Sequence, residues 1–428
     1  MRKSKQPAAP ASSAYRWLVV AMLWAISLFN YGDRQAVFSV FPLLQREMRL
    51  DPVQLGLLAG AFAWVYGLGG QFAGMLVDRI SRRRAILGGL YVWSGICVAT
   101  PLARGFSGLL ALRAAEGLGE TFYYPAAVSM LSDYHGPATR SRALGLHQTS
   151  VYAGTIAGGF FAAWIGERYG WRWSFLVFGG LGVLLGLLLQ RYLREPVRGA
   201  AEGAGAARAA DEPIAAGETL RIIWTTPVVF LLMAAFVCAN FVAVVLLSWM
   251  PSLVYEKFHL SLAMAGLTAT LFVQVASMAG SAAGGWLADR MQSAMFCGRV
   301  VVQAAGVLCG APFVVVCGLT GSVEWLIGAL TAWGFFKGLY DANIFASVYD
   351  VVPVRARGAA AGFMNTVGWA GGGVAPVLVG VLARRHGLGF GIAGASVVYL
   401  AAGGILVVAA VTLRRTAGIT KQLLPVEL

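Results

Sequence analysis

The sequence predicts an all-α membrane protein of twelve transmembrane helices in two pseudo-symmetric six-helix bundles. Hydrophobic residues make up 58% of the 428 residues and charged residues only 12%, whereas about 25% of a soluble protein is charged. Apolar stretches of about 20 residues, enough to cross a ~30 Å hydrocarbon core, recur along the whole chain. Short motifs also repeat in the same order in the two halves of the sequence, which indicates a duplicated unit.

The apolar stretches define twelve predicted helices, which we number span 1 to span 12. Charged segments and segments rich in Gly or Pro separate them. The first stretch is too long for a cleaved signal peptide, and another follows it closely, so we interpret it as a membrane span. The predicted spans are residues 15–41, 52–77, 83–103, 106–132, 143–166, 173–193, 225–254, 262–287, 297–318, 322–349, 358–382 and 388–413.

A polar segment separates span 6 from span 7. Residues 194–220 are rich in Ala, Gly and charged side chains, a composition that cannot bury a hydrophobic core. We therefore predict an N-terminal six-helix bundle at residues 1–193, a linker at 194–220 and a C-terminal six-helix bundle at 221–428.

The excess of basic residues indicates orientation. The chain has 33 Lys and Arg against 19 Asp and Glu, and their distribution follows the positive-inside rule if both termini are cytoplasmic. We predict a multi-pass inner-membrane protein with a cytoplasmic linker, surrounded by lipid and without a nucleic-acid partner. The predicted cytoplasmic cations include Arg2, Lys3, Lys5, Arg79, Arg82, Arg83, Arg84, Arg140, Arg142, Arg355, Arg357, Arg414 and Arg415.

Three motifs occur once in each half. The end of span 2 matches the end of span 8, an acidic residue follows both span 4 and span 10, and a Gly-containing acidic motif lies inside spans 4 and 10. Three correspondences in the same order indicate a duplicated six-helix unit. The matched positions are 74–79 with 285–290, Asp133 with Asp350, and 117–120 with 338–341.

These motifs resemble those of the major facilitator superfamily. GMLVDRISRRR at 74–84 resembles the family's signature loop, and Arg113 followed by GLGE at 117–120 resembles its fourth-helix motif. Ser81 stands where the family usually has Gly, and residues 291–294 of the second copy lack the basic run. The resemblance covers nearly the whole chain and implies alternating access around a site at the membrane midplane.

In that family the signature loop pairs with neighbouring helices when the cytoplasmic side is closed. The resemblance therefore implies that Asp78, Arg79 and Arg82 form a conformational gating latch. The simpler alternative is that the basic run Arg82–Arg84 only determines topology.

Two branches of the superfamily share a further pattern with this chain. Residues 31–34 (Tyr-Gly-Asp-Arg) in span 1, with Arg113 and Glu120 in span 4, resemble the anion:cation symporters that import sugar acids and other organic anions with protons. The same residues resemble the bacterial spinster-like branch, which is tied to lysolipid or sphingolipid movement. The resemblance thus implies proton-coupled symport of a small organic anion or, alternatively, export of a lysolipid or another amphiphile.

Ionisable residues inside the spans are candidate functional residues, because charge is costly within a bilayer. Their spacing places Arg113, Glu116 and Glu120 on one helix face, and Lys337 and Asp341 on another. Protonating two of the four carboxylates would change the net charge of the set from minus one to plus one and favour a monoanion. Arg113–Glu116 and Lys337–Asp341 can also be fixed structural ion pairs. The seven residues are Asp33, Arg34, Arg113, Glu116, Glu120, Lys337 and Asp341.

Arg34 is the first candidate for anion binding, because a guanidinium stays charged and grips a carboxylate with two hydrogen bonds. Asp33, Glu120 and Asp341 are the candidate proton-coupling residues. Each amide or aromatic candidate can instead be a helix–helix contact. The further candidate substrate-binding residues are Arg113, Tyr31, Gln35, Tyr66, Tyr123, Gln148, Asn240, Asn365 and Lys337.

Other classes of function lack their motifs. The five cysteines form no CxxC pair, the four histidines have no metal-ligand spacing, and no Walker motif occurs. We therefore expect no cofactor, no metal, no catalytic residues and no enzymatic activity. A receptor without transport is disfavoured because no signalling domain is appended. The expected partners are a small anionic substrate and protons, and the expected state is a monomer.

Overall fold

The computed structural model describes residues 12–77, 79–197, 216–353 and 356–423. Within these ranges the chain forms twelve helical spans, as predicted. Nine of the spans in this part of the chain are single helices long and apolar enough to cross a membrane. They are spans 1 to 3, 6 to 9, 11 and 12, at Ser13–Ser39, Pro52–Val77, Arg82–Ala99, Trp171–Tyr192, Pro227–Phe258, Leu262–Ala294, Gly298–Leu319, Arg357–His386 and Leu388–Leu423.

The other three spans are interrupted. Spans 4 and 10 each consist of two α-helices, and span 5 contains a π-helical turn between two α-helices. The pieces are Phe106–Glu120 and Tyr123–Tyr134 in span 4; Pro137–Ala157, Gly158–Ala162 and Ala163–Tyr169 in span 5; and Val323–Asp341 and Ile344–Val351 in span 10.

The breaks in spans 4 and 10 lie at equivalent positions. Glu120 and Asp341 are the last residues of the helices that precede the two breaks. In span 4 the ring nitrogen of Pro125 has no hydrogen and cannot donate to the carbonyl of Thr121, so a continuous helix would lose a hydrogen bond there. Each break therefore places a candidate proton-coupling carboxylate at a helix end.

Two short helices flank the spans. Phe41–Met48 follows span 1, and Ala216–Thr225 precedes span 7. The second helix begins inside the range predicted as linker, and residues 198–215 of that range lie outside the described residues. The division into two domains and a linker stays a prediction.

Serine side chains cap the first turns of four spans. The Oγ atoms of Ser12, Ser81, Ser261 and Ser322 accept hydrogen bonds from backbone N–H groups three residues on, at 3.2 to 3.3 Å. Such a cap stabilises a helix by about 1 kcal/mol. Ser81 stands where the resembled family usually has Gly, and here its side chain caps the first turn of span 3.

The two halves, spans 1–6 and spans 7–12, contact each other mainly through span 2 against span 11 and span 5 against span 8. Between spans 5 and 8 the backbones touch, since a Cβ on Gly266 would lie 2.0 Å from the carbonyl oxygen of Gly159. We call the side of the bundle opposite the termini the far end. There Glu167 of span 5 accepts hydrogen bonds from the backbone N–H groups of Leu262 (3.2 Å) and Ala263 (3.3 Å) at the start of span 8. These contacts hold the halves together at the far end.

Candidate functional site

Arg34 lies in a cage of aromatic rings contributed by both halves. Its side chain is buried in span 1, and its guanidinium carbon lies 4.2 Å from the ring centroid of Tyr66, 4.7 Å from Tyr31, 5.1 Å from Phe62 and 5.8 Å from Trp369. Aromatic faces attract a cation at these distances. Trp369 belongs to span 11, so the second half closes a cage that the first half builds.

Glu120 of span 4 neutralises Arg34 within this cage. The Nε atom of Arg34 donates to Oε2 of Glu120, which is fully buried. Nη1 of Arg34 and Oε1 of Glu120 have no hydrogen-bond partner among the described residues. The guanidinium therefore retains a buried donor that an anionic ligand can occupy.

Asp33 faces a different set of neighbours from Arg34, because adjacent helical residues point about 100° apart. Its carboxylate is fully buried and forms no ion pair among the described residues, and the Cys97 thiol is its one weak hydrogen-bond neighbour there. It lies beside the thiol of Cys97 in span 3 and near Glu116, Glu120 and Arg113 of span 4. An unpaired carboxylate in such a position is costly when ionised.

Arg113 and Glu116 form an ion pair within span 4. Their side chains are almost fully buried, and Nη1 of Arg113 lies 2.5 Å from Oε2 of Glu116. Glu116 also accepts from the thiol of Cys97 at 3.4 Å, and the guanidinium carbon of Arg113 lies 4.8 Å from the ring centroid of Phe62. The Phe62 ring thus contacts both guanidinium groups, that of Arg34 and that of Arg113.

The second half holds an ion pair in the first helix of span 10. Lys337 and Asp341 pair across one turn of span 10, with side chains 17% and 28% exposed. Tyr152 of span 5 lies close enough to Lys337 to interact with its charge. Gln148 is exposed and lies one turn before Tyr152, on the same helix face. Lys337 and Gln148 therefore lie near the boundary between the halves.

Besides Gln148 and Lys337, four predicted substrate-binding residues are not brought to the Arg34 cage by any described contact. Gln35 donates to the carbonyl of Leu247 at 3.1 Å, Tyr123 to that of Leu23 at 2.6 Å and Asn240 to that of Gly368 at 2.7 Å. Asn365 is half-buried on span 11. Their role in substrate binding stays a prediction.

The predicted latch region is partly described. Asp78 lies outside the described residues, and Arg79 is exposed. Arg82 is buried and pairs with Asp133 at the end of span 4 and with Glu195 after span 6, its Nε lying 3.1 Å from Oε1 of Glu195. These ion pairs join three segments of the first half. The latch role of Asp78, Arg79 and Arg82 stays a prediction.

Glu195→Gln is expected to lower thermal stability at neutral pH. Partial burial raises the pKa of Glu195, but hydrogen bonds from the backbone of Arg83 and from the side chains of Ser81 and Arg82 lower it overall, below its ordinary value. The stabilisation is therefore fully present above the unfolded pKa, about 4.3, and is lost as the pH falls through the folded pKa. Losing the charge-assisted bonds should cost about 1–2 kcal/mol at neutral pH.

Melting curves of the purified protein test this expectation. The difference between Glu195→Gln and wild type should be largest near neutral pH and shrink at acidic pH. Glu324→Gln is the matched control, because Glu324 takes part in one side-chain hydrogen bond, from Ser322 at the start of span 10. Equal melting temperatures for Glu195→Gln and wild type at neutral pH would contradict the expected contribution of Glu195 to stability.

A second cluster occupies the related place in the other half. Arg299 at the start of span 9 lies 2.6 Å from Asp350 and 3.0 Å from Asp289. Both aspartates were found in the sequence repeat, but their shared partner was not. One feature of the sequence could have indicated this partner. Arg299 stands at the start of span 9, as Arg82 stands at the start of span 3.

Sequence reasoning also missed Phe62 and Cys97 as neighbours of the site. Phe62 is an apolar residue in an apolar helix, and only its spacing of one turn from Tyr66, with which it stacks at 5.8 Å, could have indicated a shared face. Cys97 belongs to no motif in the sequence, and its contact with Glu116 joins spans that no sequence pattern connects.

Comparison with known proteins agrees with this architecture. The family model described as Major Facilitator Superfamily matches residues 23–302 and 255–423. A bacterial homologue of the human lysosomal transporter Spinster, solved in an inward-facing and unoccupied conformation, superposes with a TM-score of 0.83 at 21% identity, over 94% of this chain and 98% of that chain. At this identity the match establishes the fold.

Several curated relatives are named as transporters of sugar acids. The chain is 26% identical to the hexuronate transporter of Bacillus subtilis (strain 168), over 93% of both chains. It is 24% identical to a probable galactarate/D-glucarate transporter of Escherichia coli (strain K12), over 87% of this chain and 88% of the relative. With the family model matching nearly the whole chain, this twelve-span protein belongs to the Major Facilitator Superfamily.

Proposed function

We propose that this protein is a proton-coupled symporter of a small organic anion, a sugar acid or another carboxylate, and that it works by alternating access in the inner membrane. The observation that carries the proposal is the buried Arg34–Glu120 ion pair, in which one N–H group and one carboxylate oxygen have no other partner among the described residues. The relatives named for hexuronate and for galactarate or D-glucarate support a sugar acid.

Arg34 couples anion binding to proton binding in this proposal. While Glu120 is ionised it neutralises the guanidinium, and an entering anion gains little electrostatic attraction. A proton on Glu120 removes the opposing charge, and Arg34 can then bind a substrate carboxylate through two hydrogen bonds. Loss of the proton on the other side of the membrane re-forms the ion pair and displaces the anion.

The second half contributes Lys337 and Asp341, a pair that is more accessible than Arg34–Glu120. We assign Lys337 to the substrate and Asp341 to a second, weaker coupling site. Asp33 serves as the other carboxylate of the first half, since it is buried and forms no ion pair among the described residues.

Access changes when the halves rock about the site. With the far end held by Glu167 and the start of span 8, substrate exchange takes place on the side of the termini. Opening the far end breaks these bonds and moves Trp369 away from the Arg34 cage, because the tryptophan belongs to the second half. Asp78, Arg79 and Arg82 are assigned to the latch that then closes the side of the termini.

Uptake by the purified protein in liposomes tests the proposed function. We expect labelled glucuronate or galactarate to accumulate when the outside is made more acidic than the lumen, and to equilibrate without accumulation when the gradient is collapsed. Liposomes without protein are the control.

The same liposomes distinguish the proposed symporter from the alternative, an exporter of lysolipids or other amphiphiles. Transfer of a labelled lysolipid, with no uptake of any sugar acid, would replace the proposal with the amphiphile exporter. Sugar-acid uptake that follows a sodium gradient and ignores the pH gradient would keep the substrate class and exclude proton coupling.

The proposed orientation places both termini and the linker in the cytoplasm. Single cysteines introduced at Ser12, Ala206 and Thr416 should not react with impermeant thiol reagents in sealed right-side-out cells, and should react after the membrane is permeabilised. A cysteine replacing Thr320, between spans 9 and 10 at the far end, is the matched control and should react from outside. Labelling of the first three positions from outside would reverse the orientation.

A further inference from the structure

Span 1 carries a stripe of buried polar side chains directed into the first half. Ser27, Asn30 and Asp33 follow one another at intervals of three residues, so they share one helix face, and each is at most 1% exposed. The amide nitrogen of Asn30 has no hydrogen-bond partner among the described residues. The Asp33 carboxylate and the Ser27 hydroxyl have one weak neighbour each, the Cys97 thiol and the Tyr123 hydroxyl, and neither contact reaches full hydrogen-bond geometry.

Spans 3 and 4 present further polar atoms of this kind. Ser94 is fully buried and its hydroxyl has no partner among the described residues, but it lies against Gly182 of span 6 and outside the stripe. Oε1 of Glu120 and two guanidinium nitrogens of Arg113 also have no hydrogen-bond partner among the described residues. Cys97 adjoins Asp33, which connects span 3 to the stripe. We call Ser27, Asn30, Asp33, Cys97 and Glu120 the polar seam.

The second half differs from the first. Buried polar side chains there bond to backbone carbonyls: Ser277 to Gly334 at 2.9 Å and Gln303 to Asn343 at 2.9 Å. In the described part of that half, the buried side-chain atoms without a partner are Ser252 Oγ and Trp333 Nε1, which lie on different spans. The concentration of unpaired polar atoms in one half therefore distinguishes the seam from the rest of the interior.

One end of the seam meets a histidine. Tyr123 donates its hydroxyl hydrogen to the carbonyl of Leu23, so its oxygen accepts from Nε2 of His147 at 2.9 Å. Leu23 lies one turn before Ser27, toward the termini, and Ser27 adjoins Tyr123. From Leu23 to Asp33 the helix rises about 15 Å, a distance that a short chain of water molecules can span.

We infer that the polar seam is a hydrated proton path inside the first half, running from Tyr123 and His147 to Asp33 and Glu120. A buried polar group left without a hydrogen bond costs about 1–3 kcal/mol, and buried water ordinarily makes about three hydrogen bonds to such groups. Several unpaired groups close together would be strongly unfavourable in a dry interior, so water accounts for them. In each relay step a water molecule accepts one proton from the preceding oxygen and passes one of its own protons to the next oxygen, and the last proton binds to a carboxylate oxygen.

This path keeps protons apart from the substrate. The seam lies among spans 1, 3 and 4 of one half, whereas the Arg34 cage is completed by Trp369 of the other half. A proton can therefore reach Glu120 while the anion occupies the boundary between the halves. The proton role of the seam rests on the proposed function, but its hydration does not.

Radiolytic hydroxyl-radical labelling tests the hydration directly, because radicals formed from a buried water react with the side chains that contact it. Tyr123 and Cys97 in the first half have matched controls in Tyr399 and Cys317 of the second half, all at most 1% exposed. We expect Tyr123 and Cys97 to be modified several-fold faster than their controls. Equal, slow modification of all four would exclude a hydrated seam.

Two variants test the proton role. Asn30→Leu and Ser27→Ala should reduce pH-driven accumulation several-fold while counterflow of pre-loaded substrate continues. Ser39→Ala is the control on the same span, since its buried hydroxyl bonds to the carbonyl of Gln35 at 3.2 Å and lies away from the seam. Ser27→Ala removes a single hydroxyl, so it decides the question if Asn30→Leu does not fold.

A dry interior predicts the opposite result. Removing an unpaired polar group would then raise the melting temperature and leave accumulation unchanged, which would overturn the inference. If the wild type shows counterflow but no pH-driven accumulation, proton coupling itself fails, and radical labelling still decides whether the seam contains water.

Discussion

Arg34→Lys is expected to weaken substrate affinity by about 10- to 100-fold, although the positive charge is kept. The guanidinium uses Nε for Glu120 and retains Nη1 for a ligand, so one planar group serves two partners. A lysine ammonium is a compact point charge without that fork. Losing one charge-assisted hydrogen bond costs about 1.5–3 kcal/mol, and each 1.4 kcal/mol corresponds to a factor of ten in affinity.

Arg34→Ala should nearly abolish anion binding. It also leaves Glu120 buried without its counter-ion, and breaking a buried ion pair costs about 3–5 kcal/mol of stability. A loss of transport could then reflect unfolding. The double variant Arg34→Ala with Glu120→Gln removes both charges, so it should regain stability without regaining binding, and it separates the two causes.

Equilibrium binding of a labelled sugar acid and thermal unfolding in the same detergent measure these effects. Arg172→Lys is the matched control, because Arg172 pairs with Glu47 at the far end and the two side chains are 40% and 49% exposed, so the ion pair is in contact with solvent and contributes little. Wild-type affinity in Arg34→Ala would exclude anion binding at this residue. A weak effect of Arg34→Lys would point to a neutral or zwitterionic substrate.

The sequence was sufficient for the twelve spans and for finding the ionisable residues inside them, because hydropathy and charge are local properties of the chain. It did not identify which acid pairs with Arg34. Asp33 is its neighbour in sequence, whereas Glu120 lies 86 residues away. Helical periodicity orders residues on one helix but says nothing about the facing helix, so this pairing required the packed structure.

The breaks in spans 4 and 10 were invisible to the same reasoning. Both spans read as continuous apolar stretches, and the hydropathy of a window does not change when two residues leave the helix. In span 4, Pro125 was the one residue whose type indicated a break in the helix. In span 10 the break is held by tertiary contacts, since the amide of Asn343 donates to the carbonyl of Gly284 in span 8 at 3.2 Å, and no pattern within span 10 encodes them.

Glu120→Gln is expected to abolish accumulation driven by a pH gradient while exchange of substrate continues. Gln resembles the protonated carboxyl in shape and charge but cannot release a proton. Arg34 would then stay free of its buried counter-ion and remain able to bind an anion on either side of the membrane. The loss of coupling should be close to complete, because re-formation of the Arg34–Glu120 pair is the step that displaces the anion.

The measurement pairs two assays on the same proteoliposomes, counterflow of pre-loaded substrate and accumulation under an inward proton gradient. Asp33→Asn is the companion variant and should give a similar but partial loss, because Asp33 is buried beside Glu120 and Arg113 without an ion pair to Arg34. Normal accumulation by Glu120→Gln would transfer the coupling role to Asp33 or Asp341. If both assays fail and the variant is folded by its melting curve, Glu120 acts in binding the anion, since a residue needed only for coupling would leave counterflow intact.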